Sequence, residues 1–177
     1  ITVPAATGTM LTTAGGQTVS GTTTVTTLNA TTIQVGGNQA VNGPTFSAYQ
    51  SSAQTLSSAT FTKIQFQTEE WDTANCFDST TNYRFTPNVA GYYLVSGSIA
   101  VATTNTIIAL NIYKNGSSFR QLANSPSSAS YSAGGSAYVY LNGSTDYIEL
   151  YGYFTSGQNT GASSINTYFQ AAMVRGA

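Results

Sequence analysis

Carboxylates gather at one place in this chain, at Glu69, Glu70 and Asp72, around the only tryptophan, Trp71. Hydrolysis of a glycosidic bond needs two carboxyl groups held about 5 to 9.5 Å apart across a sugar, one as proton donor and the other as nucleophile or base. In an extended segment Glu70 and Asp72 share a face and Trp71 takes the other. No further pattern supports that pair, and acidic side chains at the end of a strand are ordinarily solvated. Calcium asks for roughly six to eight oxygens, and too few acids lie close in sequence to supply them. The chain has no histidine, which removes the usual hydrolase triads and histidine metal sites. Cys76, the only cysteine, has no partner for an intrachain disulfide and reads as a small buried apolar group rather than a reactive thiol. The expectation is no catalytic residue, no metal and no cofactor.

Tyrosine says more. In residues 146–154, Ile148, Leu150 and Phe154 share one strand face and leave Tyr147, Glu149, Tyr151 and Tyr153 on the other. Tyr138 and Tyr140 likewise oppose Val139 and Leu141 in the strand before it. A tyrosine is apolar in body and polar at its tip, which suits it both to stacking on sugar rings and to subunit interfaces. Packing between subunits or inside a sandwich is the expectation for Tyr138 and Tyr140. Both uses stay open for Tyr151 and Tyr153. Tyr131 stands alone in the polar stretch NSPSSASYSAGG, residues 124–135, read as a loop on a sheet framework, where binding residues often lie. The candidate ligand contacts are therefore Tyr131, Trp71, Tyr151 and Tyr153.

The elements that must position these side chains are strands. Phe46 and Tyr49 begin a first one; Phe61, Ile64 and Phe66 mark a second that ends at Glu69-Glu70. Thr86-Pro87-Asn88-Val89-Ala90-Gly91 reads as a corner, because Pro87 fixes its own φ and Gly91 tolerates positive φ. Beyond it Tyr93, Val95, Ile99 and Val101 alternate with Tyr92, Leu94, Ser96 and Ser98, a period of two with apolar groups on both faces at its start. Ile107, Ile108, Leu110, Ile112 and Tyr113 form the next strand, closed by Asn115-Gly116, the strongest short-range hairpin signal. A second Asn-Gly turn falls at Asn142-Gly143, and residues 165–174 make the last strand. The glycosylation-like Asn29-Ala30-Thr31, Asn115-Gly116-Ser117 and Asn142-Gly143-Ser144 are explained by turn and spacer chemistry. Short strands, regular turn signals and no helix predict an antiparallel sandwich.

Within residues 66–99, Phe66, Asp72, Phe77, Phe85, Gly91 and Tyr93 fall at intervals that resemble the signature of the complement-globular-head family, which belongs with the tumour-necrosis-factor-like jelly rolls. One residue too many separates Phe77 from Phe85, and Val95 and Gly97 stand where that family usually has aromatics. These departures point to a distant viral or bacterial relative rather than an animal complement-type protein. Lys114-Asn115-Gly116 resembles the family's strand-turn pair, Leu141-Asn142-Gly143-Ser144-Thr145-Asp146 its Leu, Gly, Asp segment before the penultimate strand, and Thr167-Tyr168-Phe169-Gln170-Ala171-Ala172-Met173 its final strand, with Ala171 in place of a glycine. The resemblance covers residues 45–177. It implies an all-β, antiparallel jelly-roll knob for residues 44–177 and a threefold bundle; Tyr138, Tyr140 and Phe169 are expected at the subunit interface.

Residues 1–43 differ in kind: they hold no charge and no aromatic. Val19, Val25, Leu28, Ile33, Val35 and Val41 recur in a Thr and Gly tract punctuated by Gly15-Gly16, Gly21 and Gly36-Gly37. One apolar residue every few positions cannot build a core from one chain, whereas three copies wound about an axis could bury the same side chains, each gaining roughly 1.5 to 3 kcal/mol. A short trimeric β shaft is expected, with Val19, Val25, Leu28, Ile33 and Val35 turned inward; a disordered linker is the competing reading. The tract also resembles the shafts of phage tail fibres.

Charged residues make up 6% of the 177, against roughly 25% in ordinary soluble domains, and the net charge is -1. Nucleic acid and anionic membrane surfaces need clustered Lys and Arg, which are absent, and no run is long enough for a membrane helix. The expectation is a homotrimeric fibre tip or adhesin that binds a cell-surface glycan or protein receptor, continued by the rest of a fibre N-terminal to Ile1, on a virion tail fibre or a bacterial surface. A structural cap that only registers the three chains comes second, and a polysaccharide-degrading enzyme third.

Overall fold

The computed structural model describes residues 43–103, 107–125 and 131–177, with the strand backbone of 34–35 and 38–39. Val19, Val25, Leu28 and Ile33 lie outside the described residues, and of Val35 only the backbone is described. The chain divides into two units, residues 1–40 and 41–177. In the first, β1 (Gln34–Val35) pairs antiparallel with β2 (Asn38–Gln39).

The second unit is built from β3 (Thr45–Tyr49), β4 (Thr55–Leu56), β5 (Thr62–Lys63), β6 (Thr68–Asp72), β7 (Phe77–Asp78), β8 (Arg84–Phe85) and β9 (Ala90–Ala100). It continues through β10 (Ile108–Lys114), β11 (Ser117–Asn124), β12 (Ser132–Asn142), β13 (Ile148–Phe154), β14 (Gln158–Asn159) and β15 (Tyr168–Gly176). One sheet runs β12-β9-β15-β3-β6, and the other β11-β10-β13-β8-β7 with β5 also on β13; β4 and β14 form a small ribbon. Because the strands of each sheet come from distant parts of the sequence, the result is an antiparallel jelly-roll sandwich rather than a meander.

Alternation explains what fills it. Tyr93, Val95 and Ile99 of β9, Ile108, Leu110 and Ile112 of β10, and Ile148, Leu150 and Phe154 of β13 all point between the sheets and are fully buried. Phe46 stacks on Phe77 and on Phe85, each at 4.6 Å between ring centroids, and meets Phe169 edge-on at 5.1 Å. Phe169 has no exposed surface and also packs against Phe66, so it is a core residue and not the interface residue expected. The Tyr93 hydroxyl is pushed up to about 12 by burial, and it donates to the Val89 carbonyl at 2.6 Å, fixing the corner after Pro87.

Other expectations are corrected in detail. The second strand splits: β5 pairs with β13 in one sheet, Ile64 and Phe66 are buried where the chain crosses the sandwich, and β6 pairs with β3 in the other. Aromatic spacing could not distinguish a crossing from a strand. Gly91 does not have the positive φ expected of it; a Cβ there would lie 2.4 Å from the Arg175 carbonyl oxygen, so the requirement is close approach of β9 to β15. The polar stretch 124–135 is strand from Ser132 onward, since the backbone of Ser132, Gly134 and Gly135 ladders onto β9 whatever the side chains are. The last strand starts at Tyr168 rather than Ile165, which is 79% exposed.

Asn115 and Gly116 both have positive φ, the two-residue hairpin between β10 and β11. At the second Asn-Gly turn the Asn142 Oδ1 accepts from the backbone N–H groups of Ser144, Thr145 and Asp146. Asp146 then ties the two turns together: it accepts from Lys114 Nζ and from Asn115 Nδ2, both at 2.8 Å, and from the Asn142 N–H. Those contacts, the lysine first, hold its carboxyl below the usual range. At the other end a buried amide cluster joins segments far apart in sequence. Gln50 donates to the Gln65 carbonyl and accepts from Thr160, while Gln54 accepts from the Gln65 N–H and donates to the Lys63 carbonyl.

Candidate functional site

The two outward faces of the sandwich are dressed differently. On the β12-β9-β15-β3-β6 sheet, the register sets Tyr138 opposite Leu94 and Tyr140 opposite Tyr92, whose rings lie 5.4 Å apart. Trp71 comes from β6 at the opposite edge, opposite Ser47, with its Nε1 toward the Thr45 hydroxyl at 3.5 Å. Between Trp71 and Leu94 lies a notch of about 210 Å³ lined also by Ser96, Gln170 and Ala172. Trp71, Tyr92, Leu94, Tyr138 and Tyr140 are 36 to 64% exposed. This is a broad apolar face, and it gathers Trp71, expected among the ligand contacts, with Tyr138 and Tyr140, expected at an interface.

On the other sheet the outward residues of β13 are Glu149, Tyr151 and Tyr153, and those of β10 are Ala109, Asn111 and Tyr113. Tyr151 stacks on Tyr113 at 3.8 Å, and Phe61, just ahead of β5, reaches both Tyr113 at 6.3 Å and Tyr153 at 5.2 Å. The four rings make one continuous strip. Beneath it Glu149, 5% exposed, is held by Lys63 Nζ at 3.0 Å. Asn111 is also buried; it donates to the Ser118 hydroxyl at 3.2 Å, and its Oδ1 has no partner among the described residues. Burial, with the Glu149 carboxylate and Tyr113 adding to it, pushes the Tyr151 phenol up. At the end of the strip Phe61 and Tyr153 form one wall of a groove of about 530 Å³, with Gln121 and Asn124 of β11 across from them and Ala109, Ile107 and Thr155 completing it.

Tyr131 belongs to neither face's cluster. Its carbonyl accepts from the Val101 N–H at 3.0 Å at the start of β12 and its side chain is 54% exposed. Residues 126–130 of its stretch lie outside the described residues. The alternation within β13 made Tyr151 and Tyr153 legible in the sequence, but Phe61, Tyr113, Gln121 and Asn124 were missed. They reach the strip from three other segments, and the available signal was the alternation of Ala109, Asn111 and Tyr113 against Ile108, Leu110 and Ile112.

The carboxylates expected to share a face have separate partners. Asp72 caps the following turn, accepting from the Phe77 N–H at 2.7 Å and the Ala74 N–H at 3.2 Å. Glu70 accepts from the Ser47 hydroxyl at 2.7 Å and Glu69 from Ser79 at 2.6 Å. The register shift between Ser47 and Ala48 puts Glu70 in a bulge, which breaks the alternation that would have aligned it with Asp72. Cys76 is buried, which pushes its thiol up. Among the described residues no three His, Cys, Asp or Glu side chains are grouped to hold a metal ion.

Two antiparallel sheets in this order define a tumour-necrosis-factor-like jelly roll. Solved structures with this fold include murine APRIL, 10% identical with a TM-score of 0.59, where the match covers 75% of this chain and 100% of that one. Eiger TNF from S. frugiperda is 16% identical with a TM-score of 0.55, covering 76% of this chain and 93% of that one. No protein-family model matches this chain, and no curated protein is similar to it in sequence.

Proposed function

We propose that this chain is the receptor-binding head of a homotrimeric fibre or adhesin and that it attaches to a glycan on a bacterial surface. The observation that carries the reading is the open groove walled by Phe61 and Tyr153, on the face opposite a broad apolar one. Half-buried rings that wall a groove offer a ligand a fixed apolar surface. A cap that only registered three chains would have no use for them, and an enzyme would need the paired carboxylates that Glu70 and Asp72 do not make.

The apolar face accounts for the trimer. Large apolar side chains crowded on one surface mark an association site, and head-to-tail contacts through Tyr92, Leu94, Tyr138 and Tyr140 would cover this face between neighbouring copies. Such head-to-tail contacts close into a ring when the rotation permits. Residues 1–43 form the shaft and 44–177 the knob, joined to the rest of a fibre on a virion tail or a bacterial surface. Three equal sites on one head then multiply weak single contacts into firm attachment. The bacterial assignment is supported by the resemblance of the shaft tract to phage tail fibres.

Attachment of the labelled protein to a panel of bacterial strains, before and after periodate oxidation of their surface sugars, tests this. Binding that periodate abolishes is the expected result. Binding that survives periodate would replace the glycan with a protein receptor, and no binding to any strain would favour the cap.

A further inference from the structure

We infer that the outer face of the β13 sheet holds an extended subsite for an uncharged oligosaccharide, one pyranose seated in the Phe61–Tyr153 groove against Gln121 and Asn124, and the chain continuing over Tyr113 and Tyr151. The inference rests on the receptor-binding reading above and names both the place and the ligand class. Three observations carry it. The first is the lining: aromatic walls offer a flat apolar face to the C–H groups of a sugar ring, and the side-chain amides of Gln121 and Asn124, which no described side chain engages, offer both donors and acceptors to hydroxyls. Rings that fix a ligand apolarly and a few placed polar groups that orient it are the ordinary makeup of a small-molecule site.

The second is charge. No Lys, Arg, Asp or Glu lines the groove among the described residues. Beside the strip, Lys63 and Glu149 are paired with each other at 3.0 Å, with Glu149 buried, and Arg120 of β11 lies over the Phe119 ring. A sulfated, uronic or sialic sugar would bring a carboxylate or sulfate into a groove whose described lining holds no cation, and would lose hydration there without a charge partner. A neutral sugar meets no such penalty.

The third is length. Phe61 touches both Tyr153 and Tyr113, and Tyr113 stacks on Tyr151, so aromatic surface continues beyond the groove along the sheet. A compact pocket would suit a monosaccharide; a strip suits successive rings of a chain.

The test is an array carrying neutral hexose oligosaccharides of increasing length beside uronic-acid and sialic-acid oligosaccharides, probed with the intact protein and with Tyr153→Ala, Tyr153→Phe and Asn124→Ala. Wild type is expected to bind neutral chains and to strengthen with length. Tyr153→Ala and Asn124→Ala each weaken single-site affinity by about tenfold or more, while Tyr153→Phe keeps most of it. Asn124 is exposed at a strand end, so its variant keeps the question answerable if Tyr153→Ala unfolds. Neutral binding that both alanine variants retain would overturn the site while leaving the glycan receptor in place. Binding confined to acidic sugars would overturn the ligand class. Silence on every glycan, together with periodate-resistant attachment to cells, would overturn this inference and the glycan reading together.

Discussion

Tyr138→Ser is the sharpest perturbation of the proposed assembly. In the single chain 64% of Tyr138 is open to solvent. An enclosed tyrosine buries roughly 150 to 250 Å², so covering that open part removes on the order of 130 Å² from water, about 3 kcal/mol at roughly 25 cal/mol/Å². A ring of three has three equivalent contacts, so the substitution costs the trimer about 9 kcal/mol, or roughly six to seven decades in its equilibrium constant. The midpoint concentration of a trimer varies as the inverse square root of that constant, which moves dissociation upward by about three decades. Burial of half the open surface would give about half that shift on the logarithmic scale. The fold itself should not change, because Tyr138 points away from the core that Val139 and Leu141 complete. Sedimentation velocity over a concentration series reads the midpoint, and a far-UV spectrum at a concentration where the variant is monomeric reads the fold. A variant that stays trimeric at the wild-type midpoint, or a wild type that sediments as a monomer at micromolar concentration, refutes the reasoning.

Other perturbations test the framework and the remaining candidate. Gln50→Ala takes from the buried Thr160 hydroxyl its acceptor and from the Gln65 carbonyl its side-chain donor, leaving that hydroxyl only the Gln54 N–H, and a urea titration should lose about 1 to 3 kcal/mol; an unchanged midpoint would mean water replaces the amide. Asp146 has a folded value below its unfolded one, so its contribution is fully present above about pH 5 and is lost as pH falls through about 3.9 toward the depressed folded value. Asp146→Asn should therefore lower the urea midpoint at pH 7 and flatten its fall between about pH 5 and pH 3, and equal slopes for the two proteins would contradict the assignment. Tyr131→Ala, at a ring 54% exposed, should leave melting unchanged, so any loss of single-site affinity would add Tyr131 to the binding surface and none would remove it.

The sequence by itself determined the features that depend only on neighbours along the chain. Period two in residues 92–101 and 147–154 decided which side chains face the core, since successive residues of a strand point to opposite faces. Asn115-Gly116 decided a hairpin through positive φ at both residues, whereas at the second Asn-Gly only Gly143 has it and the chain passes between sheets; the missing histidines removed whole classes of chemistry before any fold was known. The tertiary structure alone decided which outward residues become neighbours. Trp71 lies on the face of Tyr138 and Tyr140 because β6 joins β3 in that sheet, while Phe61 lies with Tyr153 because the chain ahead of Ile64 stays with β13 and crosses the sandwich only afterwards. Strand order and the crossing between sheets are set by long-range packing around Phe46, Phe66 and Phe169, and no local pattern encodes them. The same limit explains the polar ladder at Ser132, Gly134 and Gly135, where β9 supplies the hydrogen bonds and the local side chains carry almost no strand signal.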